Sequence, residues 1–227
     1  MNQQFTEIIK DAIINRTMET KDYKCQYCGK EFRKESTLAA HLCEPKRRAQ
    51  QENEPGVKLG MTAYLRFYEL TQGSAKFKTY ADFSTSPYYN AFIKFGRHMV
   101  NIRAINTQKF IDWVIGKNKK LDYWTKDIVY QEYLFEHLRT EATQDALERS
   151  IKTMEAWAEQ KESIFNHYFC YASSNVLVKD ITTGRISSWI IFNCTSGQDA
   201  LNKLSTEQIE MVFPYICLLY TSPSPRD

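Results

Sequence analysis

The sequence predicts an α+β protein that is mostly helical, with a small metal-organised unit near the N-terminus followed by a helical domain that carries a small antiparallel hairpin. Three observations carry this expectation. Cys25, Cys28, His41 and Cys43 crowd metal-ligating side chains into one short stretch. Apolar residues recur at three- and four-residue intervals through most of 59–160. Two runs of β-branched and aromatic residues between 175 and 193 flank a Thr-Thr-Gly-Arg turn.

The metal unit begins with Tyr23-Lys-Cys25-Gln-Tyr-Cys28. Two residues between cysteines is the spacing at which a tight turn aims two thiolates at one tetrahedral ion. His41 is the third candidate ligand, and Cys43 the fourth. Residues two apart on a regular helix point roughly 200° away from each other. His41 and Cys43 can therefore face one ion only if the helix stops at about Leu42. Pro45 fits such a stop, because it disfavours the α region for Glu44 and leaves Cys43 in irregular chain. The plain alternative is a metal-free group of reduced thiols.

Apolar residues complete the pattern: Tyr23 precedes Cys25 by two residues, Phe32 follows Cys28, and Leu38 precedes His41 by three. Over 23–43 the chain resembles the Cys2His2 zinc fingers, with Cys43 standing where that family carries a second histidine. The resemblance implies a ββα unit folded around one structural Zn2+, for which a segment this short depends on the metal. It also implies either of two uses, DNA reading or protein contact. More distantly, the finger and much of the body resemble uncharacterised zinc-finger proteins of tailed phages, which implies an intracellular role in phage DNA metabolism or gene control.

For a finger reading DNA, the residues facing bases would be Lys34, Thr37 and Ala40. Lys34 can donate to guanine, Thr37 is permissive and Ala40 can touch only a thymine methyl. A single finger covers only about three base pairs. Charge points more firmly to phosphate. Residues 21–48 hold eight Lys or Arg against four Asp or Glu and end in Lys46, Arg47 and Arg48, although the whole chain is only +3. Lys34, Thr37, Lys46, Arg47 and Arg48 are thus the candidate nucleic-acid contacts, with DNA as the expected partner. The competing expectation is a protein-interaction module that uses the finger as a structural knob against a replication or transcription protein, or against its own body.

Residues 1–20 form an N-terminal extension whose Phe5, Ile8, Ile9, Ala12 and Ile13 have helical spacing, while Met18 offers a second start for the finger. Residues 217–227, Cys-Leu-Leu-Tyr-Thr-Ser-Pro-Ser-Pro-Arg-Asp, read as the translation of a library-preparation adapter, so native sequence is expected to end near Ile216. Without Cys217, five of the six cysteines remain, an odd number that favours a reducing, intracellular setting. No apolar run reaches bilayer-spanning length, so no membrane partner is expected.

Residues 49–57 are polar and end in Pro-Gly, which predicts a linker before a body at 58–216. Helices are expected over 59–70, 87–102, 107–116, 125–138 and 143–160, with Asn106 and Thr143 as N-caps. Two short helices are expected over 197–204 and 205–213, where Ser205 and Gln208 have capping-box spacing. Between Tyr64 and Arg97 ten aromatics interleave with Arg66, Lys76, Lys78, Lys94 and Arg97. That pattern suits either a stacking surface for single strands or, more commonly, a helical core.

Signs of catalysis are sparse. The eight glycines form neither a dinucleotide fingerprint nor a phosphate loop, and His98, His137 and His167 stand apart. Glu159-Gln160-Lys161 has a nuclease-like Glu-x-Lys form, but it ends an expected helix rather than a strand. Cys170 and Cys194 would need a base that sequence cannot place beside them. The reading is a zinc-dependent binding protein with no catalytic residue assigned.

Overall fold

Tyr23 and Phe32 face each other across a two-stranded antiparallel sheet, β1 (Tyr23–Lys24) and β2 (Glu31–Phe32), in a computed structural model that describes residues 22–73 and 78–217. Helices α1 (Glu35–Ala40) and α2 (Glu44–Gln50) follow. The body begins with α3 (Pro55–Gln72), α4 (Tyr80–Thr85), α5 (Tyr89–Asn101), α6 (Thr107–Gly116) and α7 (Asp127–Thr140). It continues with α8 (Thr143–Gln160), α9 (Tyr168–Tyr171), α10 (Ser174–Thr182), α11 (Ser188–Phe192), α12 (Thr195–Asn202) and α13 (Thr206–Ile216). Single 3-10 turns stand at Leu121–Tyr123 and Phe165–His167. The protein is mostly helical with one small sheet near its start, and no described helix is long and apolar enough to cross a membrane. The extension at 1–20 and most of the 217–227 tail lie outside the described residues.

Two apolar cores divide the body. The first joins α3 to α7 around Tyr64, Phe83, Phe92, Phe95, Phe110 and Trp124, all almost wholly removed from water. The described aromatics of the basic segment therefore serve mainly as core, as their helical spacing implied, while Lys76 and Phe77 lie outside the described residues. Trp124 is held edge-on by Phe92 and Phe95 at 5.9 and 5.0 Å and donates its ring N–H to the Lys119 carbonyl at 2.8 Å. The second core joins α8 to α13 around Met154, Tyr168, Leu177, Ile181, Ile191 and Val212.

Glycines let α3 and α5 approach almost backbone to backbone. A Cβ on Gly60 would lie 2.7 Å from the Phe92 carbonyl oxygen, and one on Gly96 would collide with the Gly56 carbonyl oxygen. Just outside this contact Glu54, at the N-cap of α3, receives both Nε and an Nη of Arg97 at 2.7 Å. That fork geometry fixes where α3 enters the body.

The expected hairpin at 175–193 is corrected to two helices, α10 and α11. Leu177, Val178 and Ile181 fall on one helical face and are buried in the second core, while the Ser173 hydroxyl accepts the Val176 N–H to cap the helix. Burial on a shared face outweighs the weak strand preference of the β-branched residues. The Thr-Thr-Gly-Arg turn is a helix stop: Gly184 is left-handed at φ 70°, and the N–H groups of Arg185 and Ile186 return to the Asp180 carbonyl.

Other boundaries are close to expectation. Thr107–Gly116 and Thr143–Gln160 fall where their spacing placed them, and Asn106 caps α6 by accepting the Lys109 N–H at 3.2 Å. The Ser205–Gln208 capping box is formed on both sides. Ala142 rather than Thr143 is the N-cap of α8. The stretch read as a linker is largely helical, with only 51–54 between α2 and α3. Glu44 opens a helix despite Pro45, because a first-turn position needs no N–H donor.

A polar seam joins the two halves. Glu141 has only 4% of its side chain exposed, takes two N–H groups of Arg149, and lies 3.7 Å from His137 Nε2. Arg149 Nε also donates to the Gly184 carbonyl at 2.7 Å, and Arg185 donates to the Arg103 carbonyl at 2.8 Å.

Two predictions follow from this packing. Gly96→Ala gains at most about 1 kcal/mol of helix propensity but forces a methyl into a backbone that cannot rotate away, a cost of about 1–3 kcal/mol or more. The urea midpoint should fall, and an unchanged or higher midpoint contradicts the close approach. Burial lowers the His137 imidazole below its ordinary value although Glu141 pulls it upward, and burial likewise lowers His98, whose Nε2 has no hydrogen-bond partner. Between the folded values and the unfolded value of about 6.5, the unfolded chain binds more protons. Stability should hold at neutral pH and decline as pH falls below about 6.5, before the carboxylates titrate, and the His98→Asn, His137→Gln pair should flatten that decline.

Candidate metal centre

The β1–β2 turn presents two thiols from one side. Cys25 N–H donates to the Lys30 carbonyl at 2.9 Å, and Gly29 N–H returns to the Cys25 carbonyl at 2.8 Å. Gly29 takes φ 73°, a left-handed conformation that a side chain would strain, and so lets the turn close directly after Cys28. Cys25 is buried, while Cys28 stays at the surface.

His41 arrives from the end of α1. The helix stops at Ala40, two residues earlier than the sequence suggested, and His41 is already extended at φ −70°, ψ 121°. Its N–H bonds the Leu38 carbonyl at 3.1 Å, its carbonyl accepts Lys46 Nζ at 3.0 Å, and its ring leans on Phe32 with centroids 4.8 Å apart. Cys43 is extended at φ −95°, ψ 162° and is the N-cap of α2. Three non-helical residues between α1 and α2 thus turn His41 and Cys43 toward one point.

The four ligand atoms lie within 4.8 Å of one another. Cys25 Sγ is 3.9 Å from Cys43 Sγ, and Cys28 Sγ is 3.2 Å from His41 Nε2. A tetrahedron with metal–sulfur bonds of about 2.3 Å has edges of about 3.8 Å, so sub-ångström adjustments would close the group around one ion. Three thiols and an imidazole make a soft donor set that suits Zn2+ and excludes the hard oxygen-seeking cations.

The two thiols of the turn are shifted in opposite directions. Burial works to raise Cys25, but the backbone N–H groups of Cys28 and Tyr27 aimed at its sulfur prevail, and its titration is shifted downward. At Cys28 the Lys30 backbone N–H works downward, yet burial and the neighbouring sulfurs of Cys25 and Cys43 leave the thiol raised. Ionising one thiol discourages the next, a repulsion that a bound dication would offset.

The six remaining contact candidates and neighbours divide. Lys34 and Thr37 are exposed on α1, Lys34 as its N-cap, and Ala40 is exposed at its end. The tail cations are not a free patch. Lys46 is bonded to the His41 carbonyl, and Arg47 pairs with Glu44. Arg48 pairs with Glu44, donates to the Ser84 carbonyl, and lies 4.3 Å over the Tyr89 ring. Tyr80 donates its hydroxyl to the Arg48 carbonyl at 2.6 Å. Tyr80, Ser84 and Tyr89 are thus contact residues that sequence reasoning did not connect with the module, since nothing local links them to a helix some thirty residues earlier. No family model, curated protein or solved structure matches the chain.

Purified protein should carry one zinc per chain, and Cys25→Ser with Cys28→Ser should carry none. Cys43→Ala removes a direct ligand and should weaken zinc by more than the roughly 10–100-fold that loss of an outer partner costs. Stoichiometric, tightly held zinc in Cys43→Ala would show that another group completes the site.

Proposed function

We propose that the chain is a zinc-dependent nucleic-acid-binding protein, with DNA as its target, whose N-terminal module is held in shape by one structural Zn2+ on Cys25, Cys28, His41 and Cys43. The observation that carries this reading is the pair Arg33 and Lys34. Both are exposed at the β2–α1 junction, and neither has an ion-pair partner among the described residues. Lys30, three residues before Arg33, is also exposed, with its Nζ 5.6 Å over the Phe32 ring. Unpaired cations held on a small rigid frame suit phosphate, with Thr37 as a secondary polar contact.

Electrostatics moves the contact away from the metal. A dication held by three thiolates carries net negative charge, which repels phosphate at close range. The tail adds less than its composition suggests, because Lys46 and Arg48 are spent on contacts within the chain. Arg47 remains the more available tail cation, with 54% of its side chain exposed. Such a surface gives affinity and orientation with little base selectivity.

One observation favours a protein-contact use instead: α2 already rests on α4 and α5 through Arg48 and Tyr80, so the module can serve as a docking element. Salt dependence separates the readings. Zinc-loaded protein should bind short duplex or single-stranded DNA, weakening steeply between about 50 and 200 mM salt. Lys30→Ala, Arg33→Ala and Lys34→Ala together should lower the log–log salt slope by about 2–3. Absence of binding to either DNA form at the lower salt sinks the nucleic-acid reading.

A further inference from the structure

Cys43 holds two positions at once. It is one of the four clustered metal-ligating side chains, and it is the N-cap from which α2 leaves. Five residues further on, Arg48 is fastened to the body by its backbone and by its side chain. Its carbonyl accepts the Tyr80 hydroxyl at 2.6 Å, its guanidinium donates to the Ser84 carbonyl, and the same group lies 4.3 Å over the Tyr89 ring. The Tyr80 and Tyr89 hydroxyls stand 3.5 Å apart, and the Tyr89 ring is itself buried against Phe83 at 4.8 Å. Rigid helix and short contacts therefore run without a gap from the ligand cluster into the first core.

The exposure of neighbouring cations fits this path. The Arg48 side chain is 18% exposed, whereas that of Arg47 is 54% exposed and, among the described residues, pairs only with Glu44 of its own helix. Between the cluster and α2 the chain has few other anchors, since Cys25 alone is fully buried in 22–50. A helix of seven residues is too short to hold its shape without such anchors.

We propose that metal occupancy and docking of α2 on the body are thermodynamically coupled, so that the centre acts as a metal-operated latch over the α4–α5 surface. This rests on the reading of the cluster as a metal site. With the ion bound, Cys43 fixes the start and direction of α2, and Arg48 is presented to Ser84 and Tyr89 in place. Without it, the His41–Cys43 link is free to turn, α2 loses its N-terminal anchor, and the Tyr80–Tyr89 surface opens to solvent. Linkage makes the effect reciprocal: whatever factor the metal adds to docking, docking adds to metal affinity.

The test uses the full chain and zinc itself. Arg48→Ala, which touches no ligand, should weaken zinc about tenfold in competition with a chromophoric chelator, within the usual range of coupling between sites. Tyr80→Phe removes one hydroxyl with little risk to folding and should weaken zinc about threefold, the size of one net hydrogen bond. Arg47→Ala should bind zinc as the parent does. In the reverse direction, chelation should raise amide hydrogen exchange over 79–89 in the otherwise folded protein. If the parent binds no zinc, the metal reading fails and the latch with it. If the parent binds zinc but Tyr80→Phe and Arg48→Ala retain parental affinity, or exchange over 79–89 ignores the metal, the latch is overturned while the metal reading stands. Should Arg48→Ala fail to fold, the Tyr80→Phe affinity decides.

Discussion

Two residues spaced as His41 and Cys43 are cannot face one ion from a continuous helix, and the N-terminal half of the molecule is arranged around that constraint. It ends α1 at Ala40, forces His41 and Cys43 into extended backbone, and makes Cys43 the first anchor of α2. Because Cys43 is both candidate ligand and cap, the direction in which α2 departs is fixed where the ligands meet. Arg48 then reaches Ser84 and Tyr89, and four residues after α2 Glu54 grips Arg97. These contacts connect the ligand cluster to the body and end beside the glycine-lined contact of α3 with α5.

The same contacts give each of the tail cations Lys46, Arg47 and Arg48 a partner within the chain. Arg48 presents several donors in a planar fork, which lets it meet a carboxylate, a carbonyl and an aromatic face together. Those properties suit phosphate equally well, so only the surroundings decide between the two uses. Tyr89 and Ser84, supplied from the body, decide it for Arg48. Arg47, one residue earlier, points elsewhere and stays wet.

Much of the site was legible in the sequence because metal ligation and tight turns are local. The Cys25-x-x-Cys28 turn and the need for a helix break before Cys43 follow from spacing alone. Long helices were legible for the same reason, as the limits of α6 and α8 show. The segment at 174–192 was not, since Val176, Val178 and Ile181 favour strands locally and only burial against the second core makes them helical. Helix α2 was missed because a Pro at its second position reads as a stop and its anchors lie on the body. Long-range partners, not local preference, supplied what the sequence pattern lacked.

The two parts of the molecule are stabilised by different physics, and this places its adjustable element. The body removes some thirty side chains from water in two cores and is held by apolar burial. The module at 22–50 buries one cysteine fully and otherwise keeps its residues at or near the surface. Apolar burial on that scale cannot offset the backbone entropy of ordering such a segment, since each ordered residue costs about 1–2 kcal/mol. The grip of the body on Arg48 is one source of its order, and an ion held by the Cys25, Cys28, His41 and Cys43 cluster would be the other. A segment held by two separable attachments responds to changes that leave the cores untouched. On the latch proposed above, metal availability on one side and competition for the Tyr80–Tyr89 surface on the other would act on the same short helix, and through it on how Arg33 and Lys34 are presented.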